Sequence, residues 1–164
     1  MKKVGIVMGS ASDLEIAKKA INTLEELDVP YEVHVYSAHR TPAEAEAFAK
    51  DAEKNGFGAL ISIAGMAAHL GGVMAANTVL PVVGVPAKSK NLDGMDALLA
   101  TVQMPSGIPV ATVAIDGGQN AALLCIEMLA IEDDELRAKL KANREAAAKN
   151  VLQKNAEIEA EFNK

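Results

Sequence analysis

The six residues from Ser37 to Pro42, SAHRTP, set an imidazole beside a guanidinium between two regular elements. Residues 31–37, YEVHVYS, are rich in β-branched and aromatic side chains and read as a strand. After them come Thr41 at the N-cap, Pro42 at the first helical position and Glu44 three residues past Thr41. That pattern reads as a capping box opening an alanine-rich helix. His39 and Arg40 are therefore confined to a short strand-to-helix turn. A helix N-terminus carries partial positive charge, so a cation beside it implies an anion bound between them. The helix end and Arg40 also disfavour the imidazolium, which leaves His39 a largely neutral ring able to take a proton. The chemistry suggested is acid–base work on an anionic ligand.

Other turns that follow strands carry the remaining distinctive residues. After the first strand, GSASD supplies Gly9 for a tight turn, and Ser10 with the next backbone N–H groups forms an anion cradle. Ser12 and Glu15 read as a second capping box. Asp13 would repel a phosphate but suits sugar hydroxyls; Ser12 and Asp13 are equally compatible with plain helix capping. The stretch is neither a P-loop nor G-x-G-x-x-G. Residues 64–72, AGMAAHLGG, are mostly small, as expected where a ligand approaches the backbone closely. His69 within them suits either ligand contact or loop packing. After the fourth strand, VPAKSKNLDG carries Lys88 and Ser89. His34, in mid-strand, reads as structural or interfacial, and Cys125 on an apolar helix as inert core. No Cys/His/carboxylate cluster has metal-ligand spacing, and no G-x-S-x-G elbow occurs.

The elements that hold these turns alternate. Strands are expected at 3–9, 31–37, 59–65, 81–86 and 108–115, and helices at 13–28, 42–55, 67–77, 93–103 and 118–131. Most of the strands are apolar on both faces, which predicts a parallel sheet covered on each side: a three-layer α/β/α fold with right-handed crossovers. Residues 132–164 read as one long helix. Its apolar positions Leu136, Leu140, Ala147, Val151, Ile158 and Phe162 are spaced 4, 7, 4, 7 and 4, a seam too narrow for the main core. It suits packing along its own domain or on a neighbouring subunit. The 164 residues are expected to form a single domain, residues 1–131 being the α/β core. A net charge of −6 argues against nucleic acid or anionic membrane as the main partner. No apolar run is long enough to span a bilayer, the apolar stretch after MKK is too short for a signal peptide, and the one cysteine excludes an internal disulfide framework. A cytoplasmic location is expected.

Taken together, GIVMGSASD, SAHRTP, AGMAAHL, GVP and VQMPSGIPVATVAI, with NAALL beyond, resemble the N5-carboxyaminoimidazole ribonucleotide mutase family of purine biosynthesis. The order is the same from about Val4 to Leu129. The resemblance implies a flavodoxin-like subunit in a homo-octamer, with a small-molecule ribonucleotide substrate and no cofactor or metal. The implied reaction moves a carboxyl group from the exocyclic nitrogen of an aminoimidazole to a ring carbon by decarboxylation and recarboxylation. By motif, His39 matches the acid–base residue, while Ser10, Asp13 and Arg40 match substrate-binding positions, with Ser12 beside them. Ser37, Ala38 and the loop Gly65, Met66, Ala67, Ala68, His69 and Leu70 match the rest of the pocket. The family loop commonly reads GGAAHLPG. Here Met66 stands where a glycine is usual, which should narrow the pocket, and Gly71 stands for proline, which should loosen the loop.

Rival readings differ in testable ways. The related carboxylase branch, which takes free CO2, favours SAHKT and lacks the AAHL loop, so Arg40 and His69 point away from it. A flavin-binding module of similar fold would stack aromatic rings on the flavin, yet the chain has no tryptophan and 3% aromatic residues. A purely structural oligomer would bind no ribonucleotide at all.

Overall fold

The computed structural model describes residues 1–163. Five parallel strands form one sheet: β1 (Lys3–Met8), β2 (Tyr31–Val35), β3 (Phe57–Gly65), β4 (Val82–Ala87) and β5 (Ala111–Thr112). Their spatial order is β2-β1-β3-β4-β5. That is the flavodoxin-like order, in which the chain crosses from one side of β1 to the other after β2. Six helices surround the sheet: α1 (Leu14–Glu26), α2 (Pro42–Asp51), α3 (Leu70–Ala76), α4 (Met95–Val102), α5 (Gly118–Leu129) and α6 (Asp134–Phe162).

Alternating strand residues divide the core into two layers. Val4, Ile6, Ile61, Ile63, Val83 and Val85 pack with Ala17, Leu24, Cys125 and Ile126 of α1 and α5. Val7, Leu60 and Val82 pack on the opposite face with Ala45, Ala49 and Met74 of α2 and α3. Alanines on α1, α2 and α5 let the helices lie close to the sheet. At Gly118 the approach of α5 to α1 is at its limit, since an added Cβ would sit 2.2 Å from the Ile16 carbonyl oxygen.

Several local expectations are corrected. The strand expected at 108–115 is regular only over Ala111–Thr112. Pro109 has no N–H to donate to a ladder, and beyond Thr112 the chain keeps only separate bonds, from Val113 N–H to Gly84 O and Asp116 N–H to Pro86 O. Neither capping box forms. Thr41 Oγ1 accepts the Ser37 N–H at 2.8 Å and donates to the Ser37 carbonyl, so its hydroxyl is committed to the preceding turn. Ser10, not Ser12, caps the short 3₁₀ turn Ala11–Asp13 ahead of α1, and Glu15 pairs with Lys18 instead. Gly71 is buried in the first turn of α3, where an added Cβ would lie 3.3 Å from Ser62 Oγ.

The last helix begins as expected. Asp133 caps it, accepting the Leu136 N–H at 2.9 Å, and Leu136 and Leu140 are buried against the α5 side of the core. Arg137 clamps the end of α5 through the carbonyls of Ala130 and Ile131. Past Arg144, which pairs with Glu127, every described residue of the helix is exposed. No helix among the described residues is long and apolar enough to cross a membrane.

Gly118→Ala tests the α1–α5 contact. The methyl group has no free space, so the variant should lose about 1–3 kcal/mol in a urea melt, on the scale of overpacked cores.

Candidate active site

The carboxyl ends of β1, β2, β3 and β4 empty into one cavity of about 740 Å³. It lies where the strand order reverses, between β1 and β3, the usual ligand crevice of an open α/β sheet. Gly9, Ser10, Ser12 and Asp13 line it from the first turn, and Ser37, Ala38, His39 and Arg40 from the second. Ala64, Gly65, Met66, Ala67 and Leu70 line it from the third, and Lys88, Ser89 and Lys90 from the fourth. A cavity of about 900 Å³ at the opposite edge, where β4 and β5 begin, has Lys50 and Glu53 as its only ionisable wall residues and no histidine.

The second turn is built by Ser37. Its hydroxyl oxygen accepts the N–H groups of His39 at 3.3 Å and Arg40 at 3.2 Å, while Thr41 N–H and hydroxyl both donate to its carbonyl. This knot turns the chain so that His39 and Arg40 stand at the cavity, both exposed. The Arg40 guanidinium reaches across to the first turn and donates to the Gly9 carbonyl at 3.2 Å. Ser10, Ser12 and Asp13 are thereby drawn beside a fixed cation.

His39 Nε2 lies 2.9 Å from His69 Nδ1, with the two rings edge to face. One nitrogen must donate and the other accept, so the contact fixes a complementary pair of tautomers or a single shared proton. His39 Nδ1 has no hydrogen-bond partner among the described residues and remains available to a ligand. His69 does not line the cavity; it is exposed at the N-cap of α3, with its Nδ1 on His39 Nε2. Ala68 is buried and does not line the cavity.

Met66 has φ of +53°, a left-handed conformation that suits glycine and costs a longer side chain. Successive tight turns follow, with Ala68 N–H to Met66 O at 2.9 Å and His69 N–H to Ala67 O at 2.8 Å. Lys88 N–H donates to Asp116 and its ammonium pairs with Asp93, which ties down the fourth turn. Lys90 was not foreseen from the sequence, although its place just past a strand end is the signal that marks the others. His34 lies outside the site, stacked on Tyr36 and bonded to Glu32 and Tyr36 along β2. Burial pushes the Cys125 thiol up to about 12, so it stays un-ionised in the core. Among the described residues no group of three or more His, Cys, Asp or Glu side chains is placed to hold a metal ion.

Partial burial is the main reason that the Asp13 carboxyl is held above its ordinary value. The bonds from Ser10 and Ser12 oppose this shift, and nearby Asp116 adds to it. An acid with a raised folded pKa binds its proton more tightly in the native state. Its penalty is therefore absent below 3.8, the ordinary value of the group, and grows as pH rises through the folded value. Asp13→Asn should melt higher than the parent at neutral pH, and the gain should vanish near pH 3 in a thermal-melt series.

Comparison with known proteins agrees with this geometry. The AIR carboxylase family matches residues 3–150. A Pyrococcus abyssi protein called N5-carboxyaminoimidazole ribonucleotide mutase is 57% identical over 145 residues, covering 88% of this chain and 83% of its own. Proteins of the same name from Methanocaldococcus jannaschii and Bacillus subtilis are 51% and 49% identical. They cover 96% and 94% of this chain, and 98% and 97% of their own. The crystal structure of Treponema denticola PurE superposes with a TM-score of 0.86 at 28% identity, covering 94% of this chain and 96% of that one.

Proposed function

The chain belongs to the AIR carboxylase family, and on that premise we propose that it is a cytoplasmic, single-domain enzyme of purine biosynthesis. It converts N5-carboxyaminoimidazole ribonucleotide into 4-carboxy-5-aminoimidazole ribonucleotide. The observation that carries this reading is the His39–His69 pair beside Arg40 on one cavity at the reversal of strand order.

The phosphate sits by Arg40 and the amides of the Ser10–Asp13 turn, where the cation and the N–H groups meet it together. Asp13 accepts from the ribose hydroxyls, and Ser37 turns its hydroxyl hydrogen to the ligand. The imidazole ring then lies against Ala38 and the residue 65–70 loop, within reach of His39. The N–carboxyl bond breaks, CO2 departs, and the nitrogen takes a proton from His39, which enters this step as the imidazolium and leaves it as the neutral ring. The ring carbon, made electron-rich by the freed amine, attacks CO2 and forms the C–C bond. His39 then takes the proton from that carbon. Protons balance, nothing is oxidised or reduced, and one ring serves as acid and then base. His69 holds His39 Nε2, so Nδ1 is the nitrogen that meets the substrate.

The reading extends to assembly. Beyond Arg144, α6 exposes Val151 (67%), Leu152 (67%), Ile158 (58%) and Phe162 (70%). A helical extension without tertiary packing is marginal in water, so a neighbouring subunit covers it; the resemblance to the mutase family implies that the assembly is a homo-octamer. Light scattering should return a mass several times 17.1 kDa; a monomer at micromolar concentration would refute the assembly.

Supplying the N-carboxylated ribonucleotide should give the C-carboxylated product without added ATP, whereas aminoimidazole ribonucleotide with bicarbonate should give far less. His39→Asn removes the base and should lower turnover roughly a hundredfold or more, with affinity little changed. Arg40→Ala should do the reverse, weakening ribonucleotide binding by about 1.5–3 kcal/mol. Steady-state kinetics and calorimetric titration separate the two. A folded His39→Asn enzyme at parental rate would remove His39 from the chemistry.

A further inference from the structure

Residues 88–94 join β4 to α4, and Lys88, Ser89 and Lys90 of this segment line the cavity. By strand order they stand on the β4 side of the crevice, away from the second turn that carries Arg40. Little holds that side in place. Lys88 pairs with Asp93 of its own segment through two exposed side chains at 3.4 Å, a contact worth little in water. The Ser89 hydroxyl finds no hydrogen-bond partner. Among the described residues, one hydrogen bond ties residues 88–92 to another element: Lys88 N–H to Asp116 Oδ1, at 2.8 Å.

Asp116 itself does not line the cavity. It stands between β5 and α5 with φ of +58°, a left-handed conformation that aspartate and asparagine tolerate through local hydrogen bonds. Its backbone is held from three elements. The N–H donates to Pro86 O of β4 at 2.9 Å, while the carbonyl accepts Lys19 Nζ of α1 at 3.3 Å and the Gly118 N–H of α5 at 3.0 Å. A firmly mounted carboxylate thus reaches over to a loosely held turn. We propose that Asp116 is a positioning residue for the ribonucleotide, keeping Lys88 and Lys90 at the cavity wall through the Lys88 N–H. This rests on the ribonucleotide-binding reading given above. The two lysines meet the ligand's negative charge from the side opposite Arg40. Without the tie, the turn has to be ordered as the ligand binds, and that entropic cost falls on affinity. His39 belongs to the second turn, so the rate of the bound complex is spared.

Two variants isolate the tie. Asp116→Asn and Asp116→Gly both accept the observed φ, and both remove the negative charge that acts on Asp13. They differ in one respect: asparagine keeps an oxygen for the Lys88 N–H, and glycine does not. Lys88 is exposed, so water can take the released N–H, and both variants should melt within a few degrees of the parent. Affinity is read by calorimetric titration with 4-carboxy-5-aminoimidazole ribonucleotide, and turnover by steady-state kinetics on its N-carboxylated isomer. Kd and KM should be several-fold higher in the Gly variant than in the Asn variant, with kcat about equal in the two. Equal affinities would overturn the proposal. So would a Gly variant that unfolds, or that loses kcat and thermal stability together, since Asp116 would then be merely structural. A parent enzyme that binds the ribonucleotide but forms no C-carboxylated product would defeat the carboxyl transfer instead, and the two affinities would still decide the role of Asp116.

Discussion

The parallel pairing of β1 with β3 is the constraint on which the rest depends. These two strands are neighbours although β2 lies between them in the chain, so the connections leaving them diverge to opposite faces of the sheet. Divergence opens a crevice at their carboxyl ends, and the last bond of the pairing, from Gly9 N–H to Ile63 O, holds the two turns side by side. Val4, Ile6, Ile61 and Ile63, all fully buried, anchor that pairing in the core. The rigid part of the molecule is thus directly beneath the part that meets ligand.

Around that crevice, short polar side chains do most of the positioning. Ser37 and Thr41 satisfy one another's backbone groups, and the result is a turn whose geometry is set before any ligand arrives. Arg40 is braced on Gly9, so its side-chain freedom is already reduced in the free protein. Pre-organisation of this kind lowers the entropic cost of binding a charged ligand. The histidine pair adds a second brace, joining the α2 turn to the start of α3.

The electrostatic layout is uneven by design of the fold. Arg40, Lys88 and Lys90 stand on the cavity wall of a chain whose net charge is −6, and Asp13 is its single acidic wall residue. A local positive field within an acidic protein favours an anionic small molecule in the crevice while the outer surface repels polyanions. The exposed half of α6 contributes nothing to this site within one subunit.

Much of this was legible in the chain itself. Apolar runs, helical periodicity and Gly, Pro, Ser and Thr at the junctions are local signals. They were enough for the element order, the three-layer architecture and the short turn that carries His39 and Arg40. They failed where a group had two possible partners. The Thr41 hydroxyl was equally suited to the helix ahead and the turn behind, and only the folded turn settles which one takes it. The last strand is short because Pro109 just ahead of it and Pro86 on β4 have no N–H to give to a longer ladder. The contact of His39 with His69 spans 30 residues, and the Met66 backbone conformation belongs to a turn drawn tight between β3 and α3. Residue type and spacing along the chain determined which chemistry was present. The tertiary structure decided which groups touch, because hydrogen-bond partners are chosen by proximity in space among elements that sequence order leaves far apart.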